Sequence, residues 1–429
     1  MSVLRHESSW LALVLLLALV VRVGFVIGWH RTHDPNQFEL PDSESYWELG
    51  RRLAAGEPYA VGTPERRVLR GPGYPLVLAA IFRVFGQDVS PAAARWLGVL
   101  LGTLTVGAVY WLARLIIDRR TALIAALVVA LLPETVATSV VPLSDGPFCL
   151  WMVLQLANWR WAVSGDDKKA AVLAAVAGAS GGVATLTRPS WLLFTPLYLT
   201  AWLVGRRFRP QAWLLSAAML TGLVVVMMPW WVRNWQVTGR FVATTLWVGP
   251  SLYDGLNPEA DGSSNMAFVT HFEAGLQATD AANPPPADAP PFEYRFDRLM
   301  RDEAIAWATE HPGHAIRLAV TKLRRMWNIW PNEPAFRSWP MRLAVAATYV
   351  PLMLLAIVGA WRLRRQTQDV LLLLAPAVYL SGLHAVFVGS LRYRQPALLT
   401  LAILTAAALD AIITRCSIQR TTESCSLAS

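Results

Sequence analysis

Long apolar runs, most of them closed at one end by a short cluster of Arg or Lys, set the rhythm of this 429-residue chain. They lie at Trp10 to Gly28, Ala92 to Ile117, Thr121 to Val140, Pro147 to Val163, Ala170 to Thr187, Trp191 to Gly205, Ala212 to Trp231, Arg342 to Ala360, Val370 to Val388 and Pro396 to Ile413. A helix needs about 20 apolar residues to cross a bilayer, so the pattern predicts an all-α polytopic membrane protein with about ten transmembrane helices. "YPLVLAAIFRVFG" after Gly73 is too short to cross and is expected along the interface.

The basic clusters fix an expected orientation. Arg119-Arg120, Lys168-Lys169, Arg206-Arg207-Arg209, Arg362-Arg364-Arg365 and Arg415 with Arg420 fall on alternate sides of successive spans, which predicts cytoplasmic loops and cytoplasmic termini. Two long segments, 29–91 and about 232–341, then lie outside, joined by short outer turns at Ser144-Asp145, Arg188-Pro189 and Arg392-Tyr393-Arg394. The chain divides accordingly into a transmembrane module at 1–231 containing the first outer loop, an extracytoplasmic or interfacial segment at 232–341, and C-terminal helices with a cytoplasmic tail at 342–429. Within the first loop, Tyr46, Leu49 and Leu53 line one side of a helix, which predicts a juxtamembrane helix on the outer surface. In the second segment "NPPPADAPP" excludes regular structure, and a helical pattern follows that breaks at His311-Pro312. "GASGG" at Gly178 to Gly182 predicts close helix packing.

Composition sharpens this picture. With 55% hydrophobic and 16% charged residues and 20 Trp, the chain is unlike a soluble domain. The net charge of +9 comes from topology-setting clusters and does not indicate nucleic acid. Three cysteines, Cys149 in an apolar run and Cys416 and Cys425 in the tail, imply no disulfide framework. There is no Asn-x-Ser/Thr sequon, which fits a bacterial inner-membrane protein.

Ionisable groups on the outer side have no topological task. Asp42 and Glu44 stand in "LPDSESYWELGRRL", Asp145 in "PLSDGP", Arg70 and Tyr74 in "LRGPGYP", Arg188 in "TRPSW", and Arg392 and Arg394 in "SLRYRQP". Each has a plainer reading: Asp42 and Asp145 as helix N-caps, Arg188 and Arg394 as side chains snorkelling to headgroups. Together they predict a site where carboxylates orient or deprotonate a hydroxyl and guanidiniums hold a phosphate, which matches their planar fork. Glu134, after Pro133, is a further carboxylate candidate, and Arg22 is expected to snorkel from the first span. Tyr253 and Asn257 in the second outer segment are candidates for acceptor contact. Asp42, Glu44 and Asp145 could offer hard oxygen ligands, so a divalent cation is possible, but none is assigned as required. His33, His271, His311, His314 and His384 lack the paired spacing of a zinc site and are expected at surface or interfacial positions.

The order of "DSESYWELGRRLAAG", "RGPGYP", "PWWVRNWQVTGRFVATT", "EHPGHAIRLAVTKLRRMW" and "RYRQPALL" resembles the bacterial members of the dolichyl-phosphate-mannose protein mannosyltransferase superfamily, including aminoarabinose transferases acting on lipid A. The resemblance touches almost the whole chain and implies a GT-C fold. It also implies a polyprenyl-phosphate sugar donor used on the outer face with inversion, no nucleotide sugar, and a glycan, lipid or protein acceptor. By position it implies that Asp42 is the catalytic carboxylate of the first loop, that Arg70 neutralises the lipid phosphate, and that Asp145 is the second-loop acid. The chain departs from the family pattern in Asp42-Ser43, where two adjacent acids are common, and in Gly71, where a second proline is usual.

Two other functions use many spans and buried charges: a transporter or flippase of lipid-linked sugars, and a polymerase or ligase using a diphosphate-linked donor. Transporters concentrate charge near the bilayer midplane, whereas here it gathers at one face beneath two long segments.

Overall fold

The protein, as a computed structural model, is described over residues 2–165, 167–330 and 338–427, with side chains described over 9–165, 169–330 and 338–416. Lys168, Arg420 and Cys425 lie outside the described side chains. The described chain is helical, apart from turns and one isolated antiparallel bridge between Val61 and Arg66. Among the described residues, seven stretches are long and apolar enough to cross a membrane. They fall on α1 (Ser2–His30), α4 (Ala92–Arg114), α8 (Asp167–Thr187), α10 (Pro210–Thr238), α15 (Trp339–Arg362), α16 (Thr367–Val386) and α17 (Gln395–Leu427).

The other three expected spans form helices outside that set. The run at Thr121 to Val140 is not one helix: α5 (Arg119–Leu131) ends where Leu132 turns extended (ψ 118°), and α6 (Pro133–Ala137) is a single short turn. Pro133 explains the break, since its ring disfavours helical geometry in the preceding residue. α7 (Asp145–Ser164) is 20 residues long but carries Gln155, Asn158 and Arg160, and α9 (Phe194–Gly205) has 12 residues. Buried Ala, Leu and Val side chains of α5, α7, α8 and α17 form much of the core. The glycines of α8 do pack closely, because a Cβ on Gly178 would overlap the Met219 carbonyl of α10.

The chain between α1 and α4 folds into α2 (Pro41–Ala55) and α3 (Gly73–Phe85), which bury Tyr46, Leu49, Tyr74 and Leu78 against each other and against α4. Arg95, fully buried at the start of α4, anchors the loop's approach. It donates to the carbonyls of Val140 (3.1 Å), Pro35 (2.8 Å) and Gln37 (2.7 Å) and to Glu39 (2.9 Å). Between α2 and α3 the chain "RGPG" presses onto the end of α8. A Cβ on Gly71 would overlap the Leu186 carbonyl oxygen, and one on Gly73 would lie 2.6 Å from the Thr187 nitrogen. The departure at Gly71 therefore has a steric cause, as proline would bring the same carbon.

The chain after α10 holds α11 (Val248–Gly255), α12 (Phe268–Ala282), α13 (Phe292–Glu310) and α14 (Pro312–Met326). Residues 283–291 are irregular, and the expected break falls at His311. This segment docks on the first loop by backbone pairing and charge. Val68 accepts from the Leu246 nitrogen at 2.8 Å, Glu293 accepts from the nitrogens of Arg67 (2.9 Å) and Val68 (3.0 Å), and Arg66 pairs with Glu273. At its other end Lys322, fully buried, donates to the Val386 carbonyl at 2.6 Å, while Gly389 donates to the Gly262 carbonyl at 2.9 Å. Both contacts hold the strand of chain that leads into Arg392.

Gly71→Ala is expected to cost about 1–3 kcal/mol, the range for overpacking a close contact, read as a lower thermal midpoint of the purified protein. Lys322 gives a pH signature. Burial pushes its ammonium down from 10.5 to about 8, against the pull of Asp254. Between those values the unfolded chain binds the extra proton, so stability is expected to rise with pH across this window and to lose that contribution as pH falls through about 8. The rise should vanish in Lys322→Met, compared by thermal scans at pH 7 and pH 10.

Candidate functional site

Asp145, Arg188 and Arg392 come from three separate helix ends. Asp145 opens α7; it is not an N-cap, since Ser144 holds that position and makes no side-chain cap bond. Arg188 sits where α8 stops. Pro189 forces it extended (φ −135°, ψ 101°), and its side chain turns inward over the rings of Phe148 (5.6 Å) and Tyr393 (5.0 Å). Arg392 lies in the 3₁₀ turn Leu391–Arg394 before α17. Asp145, with 3% of its side chain exposed, pairs with Arg188 through one oxygen and with Arg392 (3.3 Å) through the other.

Asp42 belongs to a neighbouring pair. The N-cap of α2 is Leu40, without a side-chain cap bond, so capping does not account for Asp42. It pairs instead with Arg70, whose Nε donates to Ser45 at 3.1 Å and whose guanidinium lies 5.2 Å from the Tyr46 ring centre. Burial works to lower the Arg70 guanidinium, but the facing Asp42 charge overrides it and holds it above its ordinary value. The two groups join through Tyr46, whose hydroxyl donates to Ser144 at 3.3 Å, and the Asp42 charge reaches Arg392. Tyr74 packs its ring against Tyr46 (5.4 Å) inside this wall, fully sheltered, and burial raises its phenol. Asp42 differs from Asp145 in access: 43% of its side chain is exposed.

Other expected residues lie elsewhere. Glu44 is exposed and has no hydrogen-bond or ion-pair partner among the described residues. Arg394 does not join the Asp145 group. It is fully buried, pairs with Glu134 at 3.0 Å, donates to the Asn328 carbonyl and covers the Tyr349 ring at 3.7 Å, so its charge is already compensated. Arg22 does not snorkel: it is fully buried and donates to the carbonyls of Ala18 (3.1 Å) and Ala130 (3.3 Å) and to Thr135 (3.3 Å). His384 is likewise no surface residue, being buried and stacked on Tyr393 at 4.0 Å. Tyr253 packs among Phe268 and Phe272, and Asn257 is engaged in its own turn, donating to the Tyr253 carbonyl at 2.7 Å. Both sit at α11 or just after it, within a cluster with Leu256 and Trp307 or beside it. Arg95 and Arg66, which organise the loops over the site, carried no signal in the linear sequence beyond a charge at a helix start and in a polar loop.

Among the described residues no three His, Cys, Asp or Glu side chains gather, and the carboxylates of Asp42 and Asp145 face guanidiniums. What the arrangement offers is an accessible carboxylate beside a surplus of positive charge.

Arg188→Ala should cost about 3 kcal/mol, because it leaves a buried carboxylate with only one distant partner. In a double-mutant cycle with Asp145→Ala, measured by denaturant unfolding, a coupling above about 1 kcal/mol is expected; additivity within about 0.5 kcal/mol would show that the two do not act as a unit.

Comparison with known proteins agrees with this architecture. Residues 69–232 match the family model of dolichyl-phosphate-mannose-protein mannosyltransferase. No protein of curated function matches the chain. Among solved structures, the oligosaccharyltransferase AglB from Archaeoglobus fulgidus, in complex with an inhibitory peptide and a dolichol-phosphate, superposes with a TM-score of 0.61 at 15% identity over 98% of this chain and 52% of that chain. The same oligosaccharyltransferase in complex with Zn and sulfate gives 0.59 at 15% identity over 94% of this chain and 50% of that one. ArnT from Cupriavidus metallidurans bound to undecaprenyl phosphate gives 0.44 at 18% identity over 94% and 78%. The chain thus spans about half the length of the archaeal structures it matches. By helix order and superposition, with the mannosyltransferase model over 69–232, the chain has the GT-C fold of membrane glycosyltransferases.

Proposed function

We propose that this protein is a membrane glycosyltransferase that moves a sugar from a polyprenyl-phosphate donor to a hydroxyl acceptor on the outer face of a bacterial inner membrane. The family-model match and the fold support the class. The observation that carries the reading is the half-exposed Asp42 carboxylate held by Arg70 next to the Asp145–Arg188–Arg392 cluster.

In this reaction the donor's phosphate lies against Arg70 and Arg392, which stay charged at any relevant pH. An anion on Arg70 competes with Asp42 for the guanidinium and so frees the carboxylate. The acceptor oxygen attacks the anomeric carbon, its proton passes to Asp42, and the bond from that carbon to the phosphate oxygen breaks, inverting the centre and releasing polyprenyl phosphate. Asp145, shielded and doubly paired, positions the two arginines and takes no proton. Residues of α11 to α14 supply acceptor contacts.

Asp42→Asn keeps the size and removes the charge, and is expected to lower transfer by about 10²–10⁴-fold, the contribution of a general base. The assay is release of polyprenyl phosphate from a labelled polyprenyl-phosphate sugar by purified protein with mixed acceptors. Unchanged release by a well-folded Asp42→Asn would exclude the assignment, and movement of the labelled lipid without cleavage would mark a transporter.

A further inference from the structure

At the end of the helix bundle away from Asp145, a cavity of about 310 Å³ opens between α7, α9 and α16. Arg160 of its wall is fifteen residues along α7 from Asp145, so at 1.5 Å per residue the two are roughly 22 Å apart. This end of the molecule takes no part in the proposed reaction.

The cavity's wall presents donors that no carboxylate among the described residues fully satisfies. Asp369 compensates Arg160, pairing with it and accepting from its Nη2 at 3.3 Å. Arg206 has no such partner: its Nη2 donates to the neutral Gln368 amide, and no carboxylate among the described residues pairs with it. Its guanidinium lies 4.4 Å from the centre of the Trp202 ring, which holds the plane in place. Of the lining residues' buried donors that make no hydrogen bond, Arg160 Nε still faces the Asp369 carboxylate, whereas Arg206 Nε and Trp202 Nε1 face no carboxylate among the described residues. A buried N–H without an acceptor is destabilising, so two together in one wall call for a ligand oxygen. By contrast, the neighbouring Trp159 indole is satisfied by the Tyr198 hydroxyl at 3.0 Å.

The surroundings indicate what carries that oxygen. Trp161, Val204, Phe208 and Trp213 at this end are 46%, 59%, 54% and 53% exposed, an apolar and aromatic rim of the kind that meets lipid at the membrane boundary. Arg207, Arg209, Arg362 and Arg364 add positive charge in the adjoining loops. We infer that this cavity binds the phosphate head group of an anionic membrane phospholipid, with Arg206 and the Trp202 indole as the donors and the acyl chains lying along the apolar rim.

The test is native mass spectrometry of the detergent-purified full chain titrated with phosphatidylglycerol, phosphatidylcholine or inorganic phosphate, with thermal midpoints measured in parallel. Wild type is expected to retain phosphatidylglycerol where phosphatidylcholine is stripped. Arg206→Gln should weaken that retention at least tenfold, and Trp202→Phe, which keeps an aromatic ring beside Arg206 but replaces the indole and its N–H by a phenyl, several-fold. Trp202→Phe keeps the test decisive if Arg206→Gln fails to fold. Equal retention by wild type and both variants would overturn the site. Stabilisation of wild type by inorganic phosphate that phosphatidylglycerol does not exceed, lost in Arg206→Gln, would assign the cavity to a free phosphate and overturn the lipid. Sugar transfer is not measured, so the result stands apart from the proposed activity.

Discussion

A carboxylate taken out of water must be neutralised where it stands, and Asp145 meets this constraint with two guanidiniums from distant parts of the chain. Arg188 arrives on the end of α8, bent inward by Pro189, and Arg392 arrives on the turn before α17. The three helix ends therefore have one arrangement in which the charge is satisfied. Two arginines against one aspartate also leave a positive excess, and that excess faces the Asp42–Arg70 pair across the Tyr46–Ser144 hydrogen bond.

The segments that carry α2–α3 and α11–α14 depend on that frame and in turn close it. Arg66 is clasped by Glu273 and by the rings of Trp247 (4.9 Å) and Phe296 (5.0 Å), and Glu293 receives two backbone nitrogens of the first loop. Burial raises the Glu293 carboxyl despite those bonds. The cost is accepted where the two segments meet, and it places Arg70, three residues beyond Arg67, on the inner side of the junction. Lys322 does the same at the far end, fixing the Val386 to Gly389 stretch that delivers Arg392.

Much of the fold was legible in the chain because hydropathy and proline act locally. The apolar runs mark the helices, and Pro312 marks the α13–α14 break. Pairing was not legible. Arg394 and Arg392 are two residues apart with the same chemistry, yet one is consumed by Glu134 and the other faces Asp145, a choice made by which way a 3₁₀ turn points each side chain. Arg22 was misjudged for a related reason: snorkelling is the cheap solution for a lone arginine, but the break at Leu132 exposes the Ala130 carbonyl and Thr135 hydroxyl as internal acceptors. Pro133 signalled the break, and no linear pattern signalled what would use it.

Access separates the two acids once their partners are known. A general base must come within hydrogen-bond reach of an incoming hydroxyl, which a side chain 43% exposed can do and one 3% exposed, with both oxygens facing arginines, cannot without breaking the frame. In the proposed reaction the Asp42–Arg70 pair is then more than a structural tie. While Arg70 is bound to Asp42 the carboxylate is occupied, and a phosphate that draws the guanidinium away releases it. Acceptor activation would thus follow donor binding by simple competition for one guanidinium, with no movement of the surrounding helices.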